Sequence, residues 1–217
     1  MRILILGASG RCGRWATQLA VNDGHHVTAF IRPTTPFQPP LGVVVERGNA
    51  LAASDLERVV HGQDAVISCI GPQRTSPRNP WAPLRPPPNC AVRSAAAAVS
   101  ALGAVRVRRF VAISAAGAGD SLPAANSAIR WLLRHSTIGA MYADLEAMEA
   151  VLRQSDLEWL AVRPVTLVDA RPSRRAKVLA RYRVLSIVGR ADVAAWLVRA
   201  AVAPVLPPLR TPMIGWW

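Results

Sequence analysis

Three evenly spaced glycines near the start of the chain constrain the fold more than any other feature. Gly7, Gly10 and Gly13 come directly after Arg2–Leu6, an apolar run whose length suits a buried strand. A helical pattern and a second β-rich run, Val27–Ile31, come next. Strand, glycine turn, helix and strand in this order predict a βαβ unit. A turn that only reversed the chain would explain one glycine, but not three in register.

The glycine turn of such a unit is the place where a dinucleotide binds its paired phosphates. Gly7 permits a tight exit from the strand, Gly10 lets the backbone approach a pyrophosphate, and Gly13 lets the helix pack closely on the strand. The spacing is G-x-x-G-x-x-G, which differs from G-x-G-x-x-G by one residue. Because the turn lies between a strand and a helix, the sequence predicts a dinucleotide site here.

The composition suits one α/β domain of 217 residues, about half of them hydrophobic. No apolar run approaches the length of a membrane span and the start of the chain lacks a signal-peptide pattern, so we expect a cytoplasmic protein with no membrane partner. The cysteines Cys12, Cys69 and Cys90 are scattered, without metal-ligand spacing, and are expected to be reduced thiols. Cys12 lies near a helix N-terminus. Either this position lowers the pKa of its thiol, or Cys12 is there only because a small residue fits a crowded turn.

The formal net charge is +13, and Lys177 is the only lysine. Such a balance indicates an acidic ligand, an acidic partner or nucleic acid, or else an arginine-biased genome. The arginines are spread along the whole chain and no nucleic-acid-binding motif accompanies them. We therefore do not expect a nucleic-acid partner.

Apolar runs and helical stripes alternate along the rest of the chain, as is typical of α/β proteins. Further strands are predicted at 43–46, 64–71, 107–113 and 159–163, with a short one at 181–185, and helices at 54–60, 89–102, 124–135, 138–154 and 191–203. The longest helix carries a core stripe of Met141, Leu145, Met148 and Leu152. We predict a single domain over residues 1–217.

Residues 72–90 contain seven prolines and are expected to lack regular structure. Four large side chains, Arg74, Arg78, Trp81 and Arg85, lie among these prolines. The segment leaves a predicted strand beside the expected crevice. A flap that covers the substrate and an unconstrained surface loop both remain open.

The chain resembles the atypical short-chain dehydrogenase/reductases of the NmrA-like, NAD(P)H-binding family, which includes the biliverdin-IXβ/flavin reductases. The matching segments are Gly7–Gly13, Phe30–Arg32, Gly62–Ile67, Arg109–Ser114, Met148–Ser155, Leu160–Pro164 and Arg190–Ala194. The resemblance implies a Rossmann-like, doubly wound parallel sheet with helices on both faces. It also implies a small substrate region, contributed mainly by residues 72–90, 115–140 and 164–217.

The resemblance also assigns cofactor contacts, residue by residue. The amides from Ser9 to Gly13 would hold the pyrophosphate. Arg32 ends the second strand, where an acidic residue would bind the ribose of NAD, so an arginine there suits the 2′-phosphate of NADP(H). Arg11 would be a second phosphate contact. For both Arg32 and Arg11, the alternative is an ordinary exposed arginine without a ligand. The full set of implied contacts is Gly7, Ser9, Gly10, Arg11, Cys12, Gly13, Arg32, Asn49, Ala50, Ile70, Gly71, Ile113, Ser114, Pro164, Val165 and Thr166.

The candidate catalytic residues differ from those of typical short-chain dehydrogenase/reductases. Short-chain enzymes pair a tyrosine with a lysine four residues later, which lowers the phenol pKa. Here Glu146 stands four residues after Tyr142. Ser114 and Tyr142 are therefore the hydroxyls expected near the nicotinamide. Asp144, Glu146 and Glu149 are expected to be solvated helix charges.

The leading hypothesis is an NADPH-dependent oxidoreductase that reduces a flavin, a quinone or an enone/ketone by hydride transfer. A non-catalytic NADP-binding sensor and a non-redox isomerase or cyclase are the alternatives. We also expect the protein to act on a small-molecule substrate, to bind no metal and to be a monomer or a homodimer.

Overall fold

A computed structural model describes residues 1–105, 107–173 and 176–216. Within this part the chain forms the helices α1 (Arg11–Asn22), α2 (Ala53–Val60), α3 (Cys90–Gly103), α4 (Ser127–His135), α5 (Ile138–Arg153) and α6 (Arg190–Val202), with a short 3₁₀ helix at Gly119–Ala124. The strands are β1 (Arg2–Leu6), β2 (His26–Ile31), β3 (Val44–Arg47), β4 (Ala65–Ser68), β5 (Arg109–Ile113), β6 (Glu158–Pro164), β7 (Thr166–Val168), β8 (Lys177–Val178), β9 (Ile187–Gly189) and β10 (Met213–Gly215).

Eight of these strands form one sheet in the order β3-β2-β1-β4-β5-β6-β10-β8. All neighbours pair in parallel except β10 and β8, which are antiparallel. The strand order reverses between β1 and β4, so a crevice opens there at the carboxyl ends of the strands. The expected Rossmann-like, doubly wound fold is confirmed, and β7 and β9 add a separate parallel pair.

The two faces of the sheet carry different helices because side chains alternate along each strand. Ile3 and Ile5 of β1 belong to one core cluster, which contains residues of α1 and α6. Leu4 and Leu6 belong to the other cluster, with residues of α2, α3 and α5. All four are completely buried. A three-layer arrangement therefore surrounds the crevice, with the glycine turn at the start of α1.

The C-terminal third differs most from expectation. The predicted strand at 181–185 is wrong: Tyr182 makes one isolated bridge to Ala125, and Val184 and Leu185 are exposed. Short strands lie on either side of it instead, at β8 and β9. The predicted helix at 124–135 begins later, at Ser127, because Asn126 caps it by accepting a hydrogen bond from the amide of Ile129 at 2.9 Å.

None of the helices described here is both long and apolar enough to cross a bilayer.

Candidate nucleotide-binding site

The glycine turn has the geometry that its sequence predicts. Gly7 has a φ of +73°, in the left-handed region that favours glycine. A Cβ at Gly13 would lie 2.2 Å from the carbonyl oxygen of Gly7, and one at Gly10 would lie 3.1 Å from it. Side chains would therefore disrupt the close packing of α1 on the end of β1.

Four backbone amides of this turn have no acceptor among the described residues. They belong to Ser9, Arg11, Cys12 and Gly13, whereas the amide of Gly10 donates to the carbonyl of Gly7 at 2.9 Å. Free amides at the start of a helix are suited to an anion, because the helix dipole adds partial positive charge there. The turn thus fits the paired phosphates of a dinucleotide.

A cavity of about 280 Å³ extends from this turn across the carboxyl ends of β1, β2 and β4. Eight of the predicted cofactor residues line it: Gly7, Ser9, Gly10, Arg32, Asn49, Ala50, Ile70 and Gly71. A Cβ at Gly71 would meet no protein atom within 4 Å, so this glycine borders open space. The side-chain oxygen of Asn49 accepts the amide of Leu51 at 3.1 Å and shapes the turn after β3.

The other predicted contacts lie outside this cavity. Three of them, Arg11, Cys12 and Gly13, begin α1. Ile113 ends β5 and Ser114 follows it, while Pro164 ends β6, Thr166 begins β7 and Val165 lies between these two strands. The amide of Ser114 donates to the carbonyl of Val162 at 2.7 Å, and that of Ala116 donates to Pro164 at 2.9 Å. These backbone bonds join the ends of β5 and β6, where a nicotinamide would reach in a Rossmann fold.

Arg11 makes an ion pair within the protein. Its guanidinium donates to the carboxylate of Asp169, which also accepts Arg190 at 2.8 Å. These two arginines hold the pKa of Asp169 below its usual value. The ion pair joins the glycine turn to the segment after β7. A phosphate contact by Arg11 remains a prediction, and Nε and Nη1, which have no acceptor among the described residues, are the donors it would use.

The thiol of Cys12 is not activated. Burial raises its pKa to about 11, and the nearby Arg190 and Arg11 only partly offset this effect. Burial also raises the pKa of Cys90 to about 11 and that of Cys69 well above its ordinary value. The alternative of a small residue in a crowded turn is therefore the better description of Cys12.

A buried polar network lies behind the end of β5. The Ser114 hydroxyl donates to Oε1 of Glu149 at 2.6 Å. Nε and Nη2 of Arg163 donate to the two oxygens of the same carboxylate at 2.9 and 2.5 Å, and Nη1 reaches Asp120 at 2.5 Å. Ser114, Glu149 and Arg163 are each at most 4% exposed. The expectation that Glu149 is a solvated helix charge is wrong.

Asp144, on the same helix, is also buried rather than solvated. Its carboxylate accepts the amides of Ala91 at 3.0 Å and Val92 at 2.9 Å, at the start of α3. It therefore caps α3 from a different helix. Glu146 is exposed, as expected.

Two tyrosines approach each other near the loop after β5. Burial raises the pKa of the Tyr142 phenol, with a smaller contribution from Tyr182 and an opposing one from Arg74. A Cβ at Gly117 would lie 3.1 Å from the Tyr142 ring. The Tyr182 hydroxyl lies 3.0 Å from the hydroxyl of Thr166. The structure thus gathers hydroxyls from α5, β7 and the loop before β9, and the catalytic roles of Ser114 and Tyr142 remain predictions.

The proline-rich segment is folded against α4, α5 and the crevice. Thr137 donates its hydroxyl to the carbonyls of Pro80 and Ala82, and the Trp81 indole donates to His135 at 2.8 Å. At its other side, Gln73, Arg85, Pro86 and Pro87 line the cavity. The middle of the segment is therefore held by α4 and by the residue before α5, and both of its ends border the crevice, unlike an unconstrained surface loop.

A model of the NAD(P)H-binding family matches residues 7–204. The chain belongs to this family. The match spans the glycine turn and every predicted cofactor contact named above. Membership agrees with the free amides and the open crevice at the glycine turn.

Several proteins are similar to this member of the NAD(P)H-binding family. Eugenol synthase 2 of Clarkia breweri is 32% identical over 69 residues, which are 32% of this chain and only 22% of that protein. The anaerobillin reductase ChuY of Escherichia coli O157:H7 has 21% identity and a TM-score of 0.76, covering 99% of this chain and 96% of its own. A short-chain dehydrogenase/reductase of Veillonella parvula, solved with NADP, has 20% identity and a TM-score of 0.76, covering 99% and 94%.

Two features of the site lie outside the predicted site residues. Tyr182 lies in a segment that the sequence predicts to be a strand, with no motif around it. Glu149 and Asp144 did carry a signal, because Glu149 is four residues after Leu145 and Asp144 four residues before Met148. At helical spacing, both acids therefore fall beside the core stripe of α5, which favours their burial.

Proposed function

We propose that this chain is an NADPH-dependent oxidoreductase that reduces a small conjugated or aromatic substrate of the flavin, quinone or enone/ketone type. The observation that supports it is a cavity lined by Ser9, whose amide is free, and by Arg32, beside a helix start with three further free amides. Among the described residues that line this cavity, none is Asp or Glu. Such a lining favours the extra 2′-phosphate of NADP(H) over the bare ribose of NAD(H).

We assign each part of the cofactor to residues in their order along the crevice. The free amides between Ser9 and Gly13 bind the pyrophosphate, Arg32 binds the 2′-phosphate, and Asn49 and Ala50 border the adenine. Ile70 and Gly71 border the ribose. The nicotinamide end is assigned to Ile113, Ser114, Pro164, Val165 and Thr166. Residues 72–90, 115–140 and 164–217 contribute the substrate region of a single domain.

For hydride transfer, the protein needs mainly to position the substrate against the nicotinamide and to exclude water. The bound nicotinamide supplies the hydride. Because Glu149 accepts the hydrogen of Ser114, that serine presents its lone pairs and serves better as an acceptor than as an acid. Burial raises the pKa of Tyr142, so the phenol keeps its proton and can donate a hydrogen bond to the substrate, while the reduced product takes its proton from water.

The relatives support this proposal in two ways. The Veillonella parvula protein was solved with NADP, and ChuY is described as a reductase. Reduction of a conjugated acceptor also suits a site with few acidic groups, because such products can take a proton from water.

A direct test combines binding with turnover. The purified protein is titrated with NADPH and with NADH, and the near-ultraviolet absorbance of NADPH is then followed with flavin, quinone and enone acceptors. Tighter binding of NADPH and consumption with at least one acceptor class support the proposal. In Arg32→Glu we expect NADPH affinity to fall far more than NADH affinity, whereas equal losses would remove the assignment of Arg32.

One observation favours a second candidate, an NADP-binding sensor without catalysis. Glu146 occupies the position of the usual lysine and is exposed, so α5 lacks the usual tyrosine–lysine pair. NADPH binding without turnover across the acceptor panel would favour the sensor.

A further inference from the structure

The proline-rich segment returns to the nucleotide crevice through a hairpin-like fold. Arg74 and Leu84 form an antiparallel bridge. The amide of Thr75 donates to Pro83 at 2.9 Å, and the amide of Arg85 donates to Gln73 at 2.7 Å. Arg85 is thereby brought back beside the end of β4, where it lines the cavity together with Pro86 and Pro87.

Arg85 has hydrogen-bond donors to spare at this position. Its Nε donates to the carbonyl of Arg74 at 3.2 Å, while the four N–H groups on its Nη atoms have no acceptor in the described parts of the chain. Arg74, by contrast, uses all three nitrogens, on Pro77, Asn79 and the sulfur of Met141. Arg74 therefore holds the segment together, and Arg85 remains available to a ligand.

Arg32 is the other available cation of the same cavity. Its guanidinium also has no hydrogen-bond partner among residues 1–105, 107–173 and 176–216. The neighbouring Arg47 donates through Nη1 to the carbonyls of Arg32, Pro33 and Thr35, and so is occupied in shaping the turn after β2. In the described lining, Arg32 and Arg85 are the only charged side chains. Two cations without a carboxylate make this cavity suited to a doubly charged anion.

We propose that Arg85 is a second guanidinium for the 2′-phosphate of NADP(H), acting with Arg32 from another wall of the cavity. This inference rests on the proposed function and extends it, because it makes the proline-rich segment part of the nucleotide site as well as of the substrate region. Arg–phosphate pairs are short and frequently bidentate, so two of them distinguish a phosphorylated ribose from a free one more strongly than one does.

The test measures binding alone, with four probes: NADPH, NADH, 2′,5′-ADP and 5′-AMP. The last two lack the nicotinamide and isolate the adenosine end. In Arg85→Gln we expect the affinity for NADPH and 2′,5′-ADP to fall about ten- to hundredfold, as for loss of a hydrogen bond to a charged group. The affinity for NADH and 5′-AMP should change by less than about threefold, because neither carries the phosphate that Arg85 binds.

Two matched variants complete the set. Arg78→Gln removes the same charge from the same segment at an exposed position that does not line the cavity, and it should leave all four affinities unchanged. Arg85→Lys keeps the charge without the planar fork and should restore part of the NADPH affinity. Thermal unfolding of each variant shows that the fold is retained, and Arg85→Lys tests the position even if Arg85→Gln is unstable.

The outcomes separate this inference from the proposed function. If the wild-type protein binds NADPH no better than NADH, the cofactor preference fails, and the role of Arg85 fails with it. If Arg32→Gln removes the preference and Arg85→Gln keeps it, the preference stands and Arg85 is not part of the phosphate site. Equal losses for all four probes in Arg85→Gln also overturn the inference, because they indicate a general effect of charge or loop structure.

Discussion

Ser114 and Glu149 lie 2.6 Å apart inside the core, with the serine hydroxyl donating to a carboxylate that Arg163 also holds. The contact ties the end of β5 to the middle of α5. Since Arg163 belongs to β6, one carboxylate connects three elements behind the proposed nicotinamide end. The position of Tyr142, two turns earlier on α5, depends on the same connection.

The first prediction concerns this carboxylate. Glu149→Gln leaves the buried Arg163 guanidinium with only the exposed Asp120 as a charged partner, and we expect the free energy of unfolding to fall by about 3–5 kcal/mol. Chemical denaturation measures this loss. Glu146→Gln, on the exposed side of the same helix, should change stability by less than about 0.5 kcal/mol. Similar small losses in both variants would show that the network contributes little.

A second prediction concerns the cap that Asp144 provides for α3. Asp144→Ala removes the acceptor of two amides, and we expect a loss of about 1–3 kcal/mol in the free energy of unfolding. Asp156→Ala is the matched control, because Asp156 is exposed. Hydrogen exchange of the Ala91 and Val92 amides should accelerate in the first variant only. Unchanged protection of these amides would contradict the capping role.

Two glycines of the site allow binding to be separated from folding. Gly71→Val places its side chain in open space, so stability should hold while NADPH affinity falls at least about tenfold through steric exclusion. Gly13→Ala forces a Cβ against the Gly7 carbonyl and should lower stability itself by about 1–3 kcal/mol. Thermal unfolding and NADPH titration of both variants provide the comparison. Full affinity in Gly71→Val would exclude this cavity as the nucleotide site.

The Cys12 thiol predicts a specific loss of stability at alkaline pH. Its pKa is about 11 in the folded protein against an ordinary value of 9.0, because burial disfavours the thiolate and outweighs Arg190 and Arg11. The folded state therefore retains the proton longer than the unfolded state. The resulting stability is fully present below pH 9 and is lost as the pH rises through 11.

We expect the wild-type protein to lose stability between these pH values faster than Cys12→Ser, by up to roughly 1 kcal/mol per pH unit. Denaturation at several pH values measures the difference between the two slopes. Parallel slopes would mean that Cys12 titrates normally. Asp169, which also faces this thiol, stays ionised throughout the range and does not contribute to the difference.

Local patterns were sufficient for the first half of the fold. The first strand was predicted with its observed limits, Arg2–Leu6, because continuous apolar residues, glycines and helical periodicity are all encoded within a few neighbours. The same holds for the glycine turn. The crevice follows from it, since strand order in a doubly wound sheet is strongly restricted.

Features that depend on contacts between residues far apart in the sequence could not be predicted from local patterns. Strand β10 contains only three residues, directly after Pro212, and pairs with β6, far away in the sequence. The burial of Glu149 depends on Arg163, on another element. Likewise, nothing in the sequence of the proline-rich segment says that it folds back so that Arg85 meets the same cavity as Arg32.

The hydrogen bonds from Thr137 to Pro80 and Ala82 restrict how the proline-rich segment can move. They fasten the junction of α4 and α5 to the same stretch of chain that supplies Arg85. Any movement of residues 80–82 away from this junction would have to break both contacts. One threonine hydroxyl thus fixes the distance between the junction and the bend that returns the chain to the crevice.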